Sequence, residues 1–168
     1  EVVLPEGLID IGVYAFDGCT GLKTINLVEG LTIIPNYAFQ NCTNMNYLSL
    51  PTTVETIGDY AFYNCIGLRS ITFHNKLQSI GDYAFYSCAG LVSLNLSDNI
   101  QTISDYTFAN CINLKSIILS SNLKTVGSYA FANCSKVTKL FVPNSVMSIE
   151  SDSFSGIENL VFYCSLDS

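Results

Sequence analysis

Seven cysteines, a single histidine and a row of aspartates are the residues of this chain whose types and spacing could do chemistry. In Gly58-Asp59-Tyr60-Ala61-Phe62-Tyr63-Asn64-Cys65 a thiol closes a short aromatic stretch entered by glycine and aspartate, an arrangement that reads as a small reactive site. A cysteine nucleophile needs a base within hydrogen-bond reach, and His74 is the only histidine. Asp59, Asp82 and Asp105 stand 23 residues apart, a carboxylate row of a kind that could ligate Ca²⁺. The sequence has no C-x-x-C pair and no Cys/His cluster at zinc spacing.

The elements that would position these groups argue against catalysis. GDYAFYNC has a near copy in GDYAFYSC (81–88), and more distant copies fill the chain. Phe occurs at 16, 39, 62, 85, 108, 131 and 154, always 23 residues apart. Cys follows three residues later at 19, 42, 65, 88, 111 and 134, and gives way to Ile157 in the last copy. Tyr precedes the Phe by two at 14, 37, 60, 83, 106 and 129, with Asp152 the exception. Ile11, Ile34, Ile57, Ile80, Ile103, Val126 and Ile149 form one apolar column, and Leu22, Met45, Leu68, Leu91, Leu114, Val137 and Leu160 form another. No insertion breaks the period, so every copy is expected to stack on its neighbour in the same way. The chain reads as a solenoid, held by repeat and nearest-neighbour terms.

Within each copy an L-x-x-L-x-L spacing, as in Leu91, Leu94 and Leu96, gives the period-2 alternation of a half-buried strand. Asn36, Asp59, Asp82, Asp105, Ser128 and Ser151 then stand where a side chain caps the free N–H groups of a helix start. Five residues later Gly18, Asn41, Asn64, Ser87, Asn110, Asn133 and Gly156 tolerate a left-handed backbone and stop a helix. Tyr-Ala-Phe-x between them is expected to be one helical or 3₁₀ turn.

This register absorbs the reactive-looking residues. Capping explains the aspartate row without a metal, and Asn36 and Ser128 in the same column weaken any coordination scheme. His74 fills the strand-end slot that Pro5, Pro51 and Pro143 fill elsewhere, and each Gly of the I-G-D-Y pattern recurs by register instead of forming a phosphate loop. Rungs about 4.8 Å apart would bring neighbouring cysteines within reach of one another. Parallel Cβ directions favour a row of buried thiols, with disulfides or a metal as the alternatives. Cys164 is placed in the outward column with Ile118 and Phe141, as the exposed thiol.

CIGLRSITF (65–73), LQSIGDYAF (77–85) and CSKVTKLFVPNSVMSIE (134–150) resemble the 23-residue pattern C-x-x-L-x-x-I-x-L-P-x-x-L-x-x-I-G-x-x-A-F-x-x of BspA-like leucine-rich repeats, a bacterial surface protein family. The resemblance covers essentially the whole chain. It implies an α/β repeat solenoid, a leucine-rich-repeat arc with a parallel β-sheet on the concave face and short helical or 3₁₀ turns on the convex face. It also implies a secreted or surface-attached protein, often associated with adhesion. One domain, 1–168, is expected to hold about seven repeats. Its first repeat is entered mid-way at Val2-Val3-Leu4-Pro5, and 149–168, with Asp152, Ser155, Glu158, Asp167 and Ser168, reads as a degenerate repeat or cap. These ends suggest part of a longer chain.

Only 12% of residues are charged, about half the usual share, and the net charge of −7 argues against nucleic acid or an anionic membrane as partner. No apolar run approaches the roughly 20 residues of a membrane span. Recognition is therefore assigned to the concave face. Its outward columns are expected to run Thr24, Tyr47, Ser70, Ser93, Ser116, Lys139, Phe162 and Val3, Asn26, Ser49, Thr72, Asn95, Ile118, Phe141, Cys164. Tyr47, Ile118, Lys139, Phe141 and Phe162 are the candidate contacts to a protein or glycan ligand, since exposed apolar groups rimmed by polar ones mark interaction sites. Tyr63 and Tyr86 form a second, convex patch that turn packing also explains. The expected role is a non-catalytic binding module without cofactor or metal; the alternative is a spacer beside an anchoring or enzymatic domain.

Overall fold

The computed structural model describes residues 2–164. Among the described residues fourteen short strands, every pairing between them parallel, wind into a solenoid with a row of strands on each side of the core: the concave ladder is broken into four two-stranded sheets and the second ladder into two three-stranded sheets. The concave ladder is built from β1 (Val2–Val3), β2 (Ile25–Asn26), β4 (Tyr47–Ser49), β6 (Ser70–Thr72), β8 (Ser93–Asn95), β10 (Ser116–Ile118), β12 (Lys139–Val142) and β14 (Val161–Cys164). The second ladder holds the two-residue strands β3 (Ile33–Ile34), β5 (Thr56–Ile57), β7 (Ser79–Ile80), β9 (Thr102–Ile103), β11 (Thr125–Val126) and β13 (Ser148–Ile149). Tyr47 pairs with Ser70, Ser93 with Ser116 and Thr56 with Ser79, so each rung advances the register by the 23-residue period.

Between the ladders lies a core in which every column of the sequence pattern is one row of contacts. Phe39, Phe62, Phe85, Phe108 and Phe131 are fully buried. From Phe16 to Phe154 the rings stack face to face, with centroids 5.0–5.5 Å apart and planes within 11° of parallel. The Leu and Ile columns fill the space to either side. Identical side chains at identical heights can stack this way only because the rung spacing is close to the offset-stacking distance of aromatic rings.

The convex turns are not helical: no helix is present among the described residues. The reason is visible in where the N–H groups point. In the second rung Ala38, Gln40 and Cys42 donate back to Pro35, Tyr37 and Phe39 within the turn, while Tyr37, Phe39 and Asn41 donate forward to the carbonyls of Asp59, Ala61 and Tyr63 in the next rung. A helix would direct every N–H into its own segment; here alternate groups hold the next rung. The alternation requires left-handed residues. The Asn and Ser positions predicted to tolerate that conformation adopt it, at φ between 57° and 60°. The six tyrosines from Tyr14 to Tyr129 adopt it as well, at φ between 54° and 62°. A non-glycine residue there costs on the order of 1–2 kcal/mol. The forward hydrogen bonds and the stacking of each tyrosine on the next, at 4.5–5.0 Å, offset it.

The aspartate row also departs from the capping expectation. Each side chain serves the following rung: Asn36 Oδ1 accepts from the N–H of Asp59 at 2.9 Å, Asp59 Oδ1 from Asp82 at 2.9 Å, Asp82 Oδ1 from Asp105 at 3.2 Å, and Asp105 Oδ1 from Ser128 at 2.8 Å. This path explains the glycine of I-G-D-Y. A Cβ on Gly81 would strike the Asp59 carboxylate and come within 2.6 Å of the Asp59 nitrogen. Ser104 occupies the glycine position where the spacing is stretched to 3.2 Å.

Candidate functional site

The cysteine column is sulfur buried in protein, held by backbone. The thiols of Cys42, Cys65, Cys88, Cys111 and Cys134 donate to the carbonyls of Phe16, Phe39, Phe62, Phe85 and Phe108 in the preceding rung, at 3.1–3.4 Å. Burial pushes the Cys42 and Cys134 thiols up to about 12 and holds those of Cys65, Cys88 and Cys111 well above the ordinary thiol value as well. Such groups are poor nucleophiles and poor metal ligands, because the thiolate is the reactive form. All seven cysteines are free. Two of them are exposed, Cys164 and, against expectation, Cys19. Among the described residues no group of three His, Cys, Asp or Glu side chains could hold a metal ion.

On the concave face Tyr47, Ile118 and Phe141 point outward as expected, exposed by 49%, 58% and 66%. Ile118 and Phe141 lie on neighbouring strands and line a shallow hollow of about 330 Å³ with Leu119, Val142 and Pro143. Lys139 is exposed on the same strand as Phe141. Tyr47 lies three rungs from Ile118, about 14 Å by strand spacing, and four from Lys139 and Phe141, so the five candidates do not form one cluster.

Phe162 is not in the outward column. The last concave pair slips by one residue: Lys139 pairs with Val161, Leu140 with Phe162, Phe141 with Tyr163 and Val142 with Cys164. The offset is 22 residues, so the uninterrupted period holds through Leu160 and fails one residue later. Phe162 thus takes an inward position, edge-on to Phe154 at 5.3 Å, and remains exposed because β14 has no further described rung over it. Its place beside Phe141 is taken by Tyr163, whose ring stacks at 5.0 Å. Cys164, assigned outward with Phe141, follows the slip into the column of Val142. Asp167 and Ser168 lie outside the described residues. On the convex side Tyr63 and Tyr86 stack on each other at 5.1 Å and lean on Tyr60 and Tyr83, which is turn packing.

Sequence reasoning missed a second concavity, larger than the hollow at Ile118 and Phe141. It holds about 880 Å³ and runs along the edge where the convex turns feed into the concave strands, lined by Asn44, Asn46, Tyr47, Arg69, Lys115 and Lys136 among others. The signal was in the column Asn44, Gly67, Gly90, Asn113, Lys136, where two glycines interrupt side-chain-bearing positions.

Stacked parallel strands with 23-residue register, a Phe spine and a Cys column hydrogen-bonded beneath it match one family. The BspA type leucine rich repeat region matches residues 1–50 and 32–161, in 6 copies. The chain belongs to the BspA-type leucine-rich repeat family. Among solved structures, this BspA-type chain is similar over 99% of its length to a leucine-rich repeat protein from Eubacterium ventriosum, at 27% identity and a TM-score of 0.83. It is similar over 82% of its length to a leucine rich cell surface protein from Faecalibacterium prausnitzii, at 25% identity and a TM-score of 0.75. A leucine rich repeat protein of T. pallidum is similar over 81%, at 26% identity and a TM-score of 0.65, with 77% of its own chain covered. The chain spans 43% and 38% of the length of the first two. No curated protein sequence matches it.

Proposed function

We propose that this BspA-type repeat is a non-catalytic recognition module of a cell-surface or secreted protein and binds a protein partner through the concave face near Ile118 and Phe141. The observation that carries this reading is the pair of adjacent side chains exposed by 58% and 66% in an otherwise hydroxylic strand surface, flanked by Lys139 and backed by Tyr163. Aromatic anchors beside a cation supply the contacts that dominate protein interfaces. The family of surface proteins to which the repeat belongs supports an extracellular setting.

The test is binding of the purified chain to immobilised extracellular-matrix proteins, wild type against an Ile118→Ser, Phe141→Ser variant whose circular dichroism is unchanged. A loss of tenfold or more is expected, the scale of a hot-spot truncation. Equal binding by both would place the contact elsewhere on the chain, and no binding by either would leave the domain as a spacer that holds a neighbouring domain away from the surface.

A further inference from the structure

Seven cations serve a chain of net charge −7, and three of them, Arg69, Lys115 and Lys136, line the same groove. Among the described residues none of the three is in an ion pair with a carboxylate. Lys136 instead donates to the side-chain oxygen of Asn113. The global charge repels anions, but over distances beyond about 10 Å that repulsion is screened and the nearby cations set the local field.

The shape of the groove comes from two glycines. In the rungs that carry asparagine, the amide of Asn44 donates to the Thr20 carbonyl at 2.6 Å and that of Asn113 to the Ala89 carbonyl at 2.8 Å. At Gly67 and Gly90 there is no side chain, and a Cβ would come within 2.6–2.7 Å of the Thr43 and Ile66 carbonyls. Neither carbonyl accepts a hydrogen bond from another described residue, and both belong to lining residues in the first two rungs of the groove, at the Tyr47 end, with Lys115 and Lys136 at the other end. Five rungs contribute, a run of about 20 Å.

We infer that this groove binds an acidic polysaccharide segment, such as a uronic-acid oligosaccharide of about four or five units. Carboxylates at alternate sugars would meet Arg69 and Lys115, which stand two rungs or about 10 Å apart. Sugar hydroxyls would donate to the open carbonyls of Thr43 and Ile66 and pair with Asn46 and Ser70, and a pyranose face would lie on the half-exposed ring of Tyr47. An acidic peptide would satisfy the cations, but its own N–H groups point to alternate sides and its carbonyls compete with those of the floor, whereas a sugar presents donors along its whole length. The groove is separate from the Ile118 and Phe141 patch, so the inference does not rest on it.

The experiment is calorimetric titration of the chain with penta-galacturonate, with the same oligomer fully methyl-esterified, and with poly-L-glutamate. Binding of the free acid at least tenfold tighter than the ester is expected, falling with added salt. Arg69→Gln and Lys115→Gln should each weaken it about five- to tenfold, as loss of a charge-assisted contact does. Tyr47→Ala should weaken acid and ester alike, and Phe141→Ser should change nothing. Equal binding of acid and ester, or none of either, overturns the inference; tighter binding of poly-L-glutamate overturns the glycan in favour of an acidic peptide.

Discussion

Phe85 tests whether the aromatic spine carries the fold. Its ring is fully buried between Phe62 at 5.1 Å and Phe108 at 5.4 Å, and Phe73 meets it edge-on at 5.9 Å. Truncating a buried Phe to Ala costs about 3–5 kcal/mol through lost transfer energy and the cavity left behind. Three ring contacts, each worth about 0.5–1.5 kcal/mol beyond burial, put Phe85→Ala at the upper end, near 5 kcal/mol. Phe16 has one stacked neighbour, Phe39, and is only half-buried. Phe16→Ala should therefore cost about 1–2 kcal/mol, half or less of the value at the centre. Urea unfolding followed by circular dichroism reads both. In a nearest-neighbour array the central truncation should also split the transition, because the rungs on either side lose their coupling. Equal costs at the two sites, or a central cost below about 2 kcal/mol, would refute the idea that the stack is the main cohesive element.

Ellman's reagent at pH 8 should react quickly with two cysteines, Cys19 and Cys164, and with the other five only after unfolding; a third fast thiol would contradict the buried ladder. The same thiols make stability fall with alkali. Their folded values are raised above the ordinary 9.0, to about 12 for Cys42 and Cys134, so the contribution is complete below about 9 and is lost between there and 12, as the unfolded chain releases protons that the folded one keeps. Cys88→Ala should flatten that alkaline slope. Gly81→Ala, which drives a methyl into the Asp59 hydrogen bond, should destabilise by about 1–3 kcal/mol, whereas Gly12→Ala, with open space around it, should change little.

The period of Phe, Leu and Ile made the solenoid legible, because one-dimensional stacking turns each sequence column into a row of contacts. The left-handed Asn positions were legible for the same reason: the residue type states the backbone need. The left-handed tyrosines were not, since tyrosine carries no local preference for that region and is placed there by bonds to the next rung. The slip at β14 was hidden because the Phe and Leu columns stay in phase to Phe154 and Leu160, and the missing residue falls inside the strand beyond. Of the binding candidates, the outward direction of Tyr47, Ile118 and Phe141 followed from strand alternation. The groove beside Tyr47 depended on two glycines being absent side chains, which a search for reactive residue types passes over.

The forward hydrogen bonds of the turns, the side-chain bonds of the aspartate row and the strand ladders all run along the axis of the solenoid. Under a pull on the two ends of the chain these bonds lie in series and bear the same load, so the rungs yield one at a time, beginning with an outermost rung that has a neighbour on one side only. Each rung that lets go frees 23 residues, roughly 75 Å of extended chain.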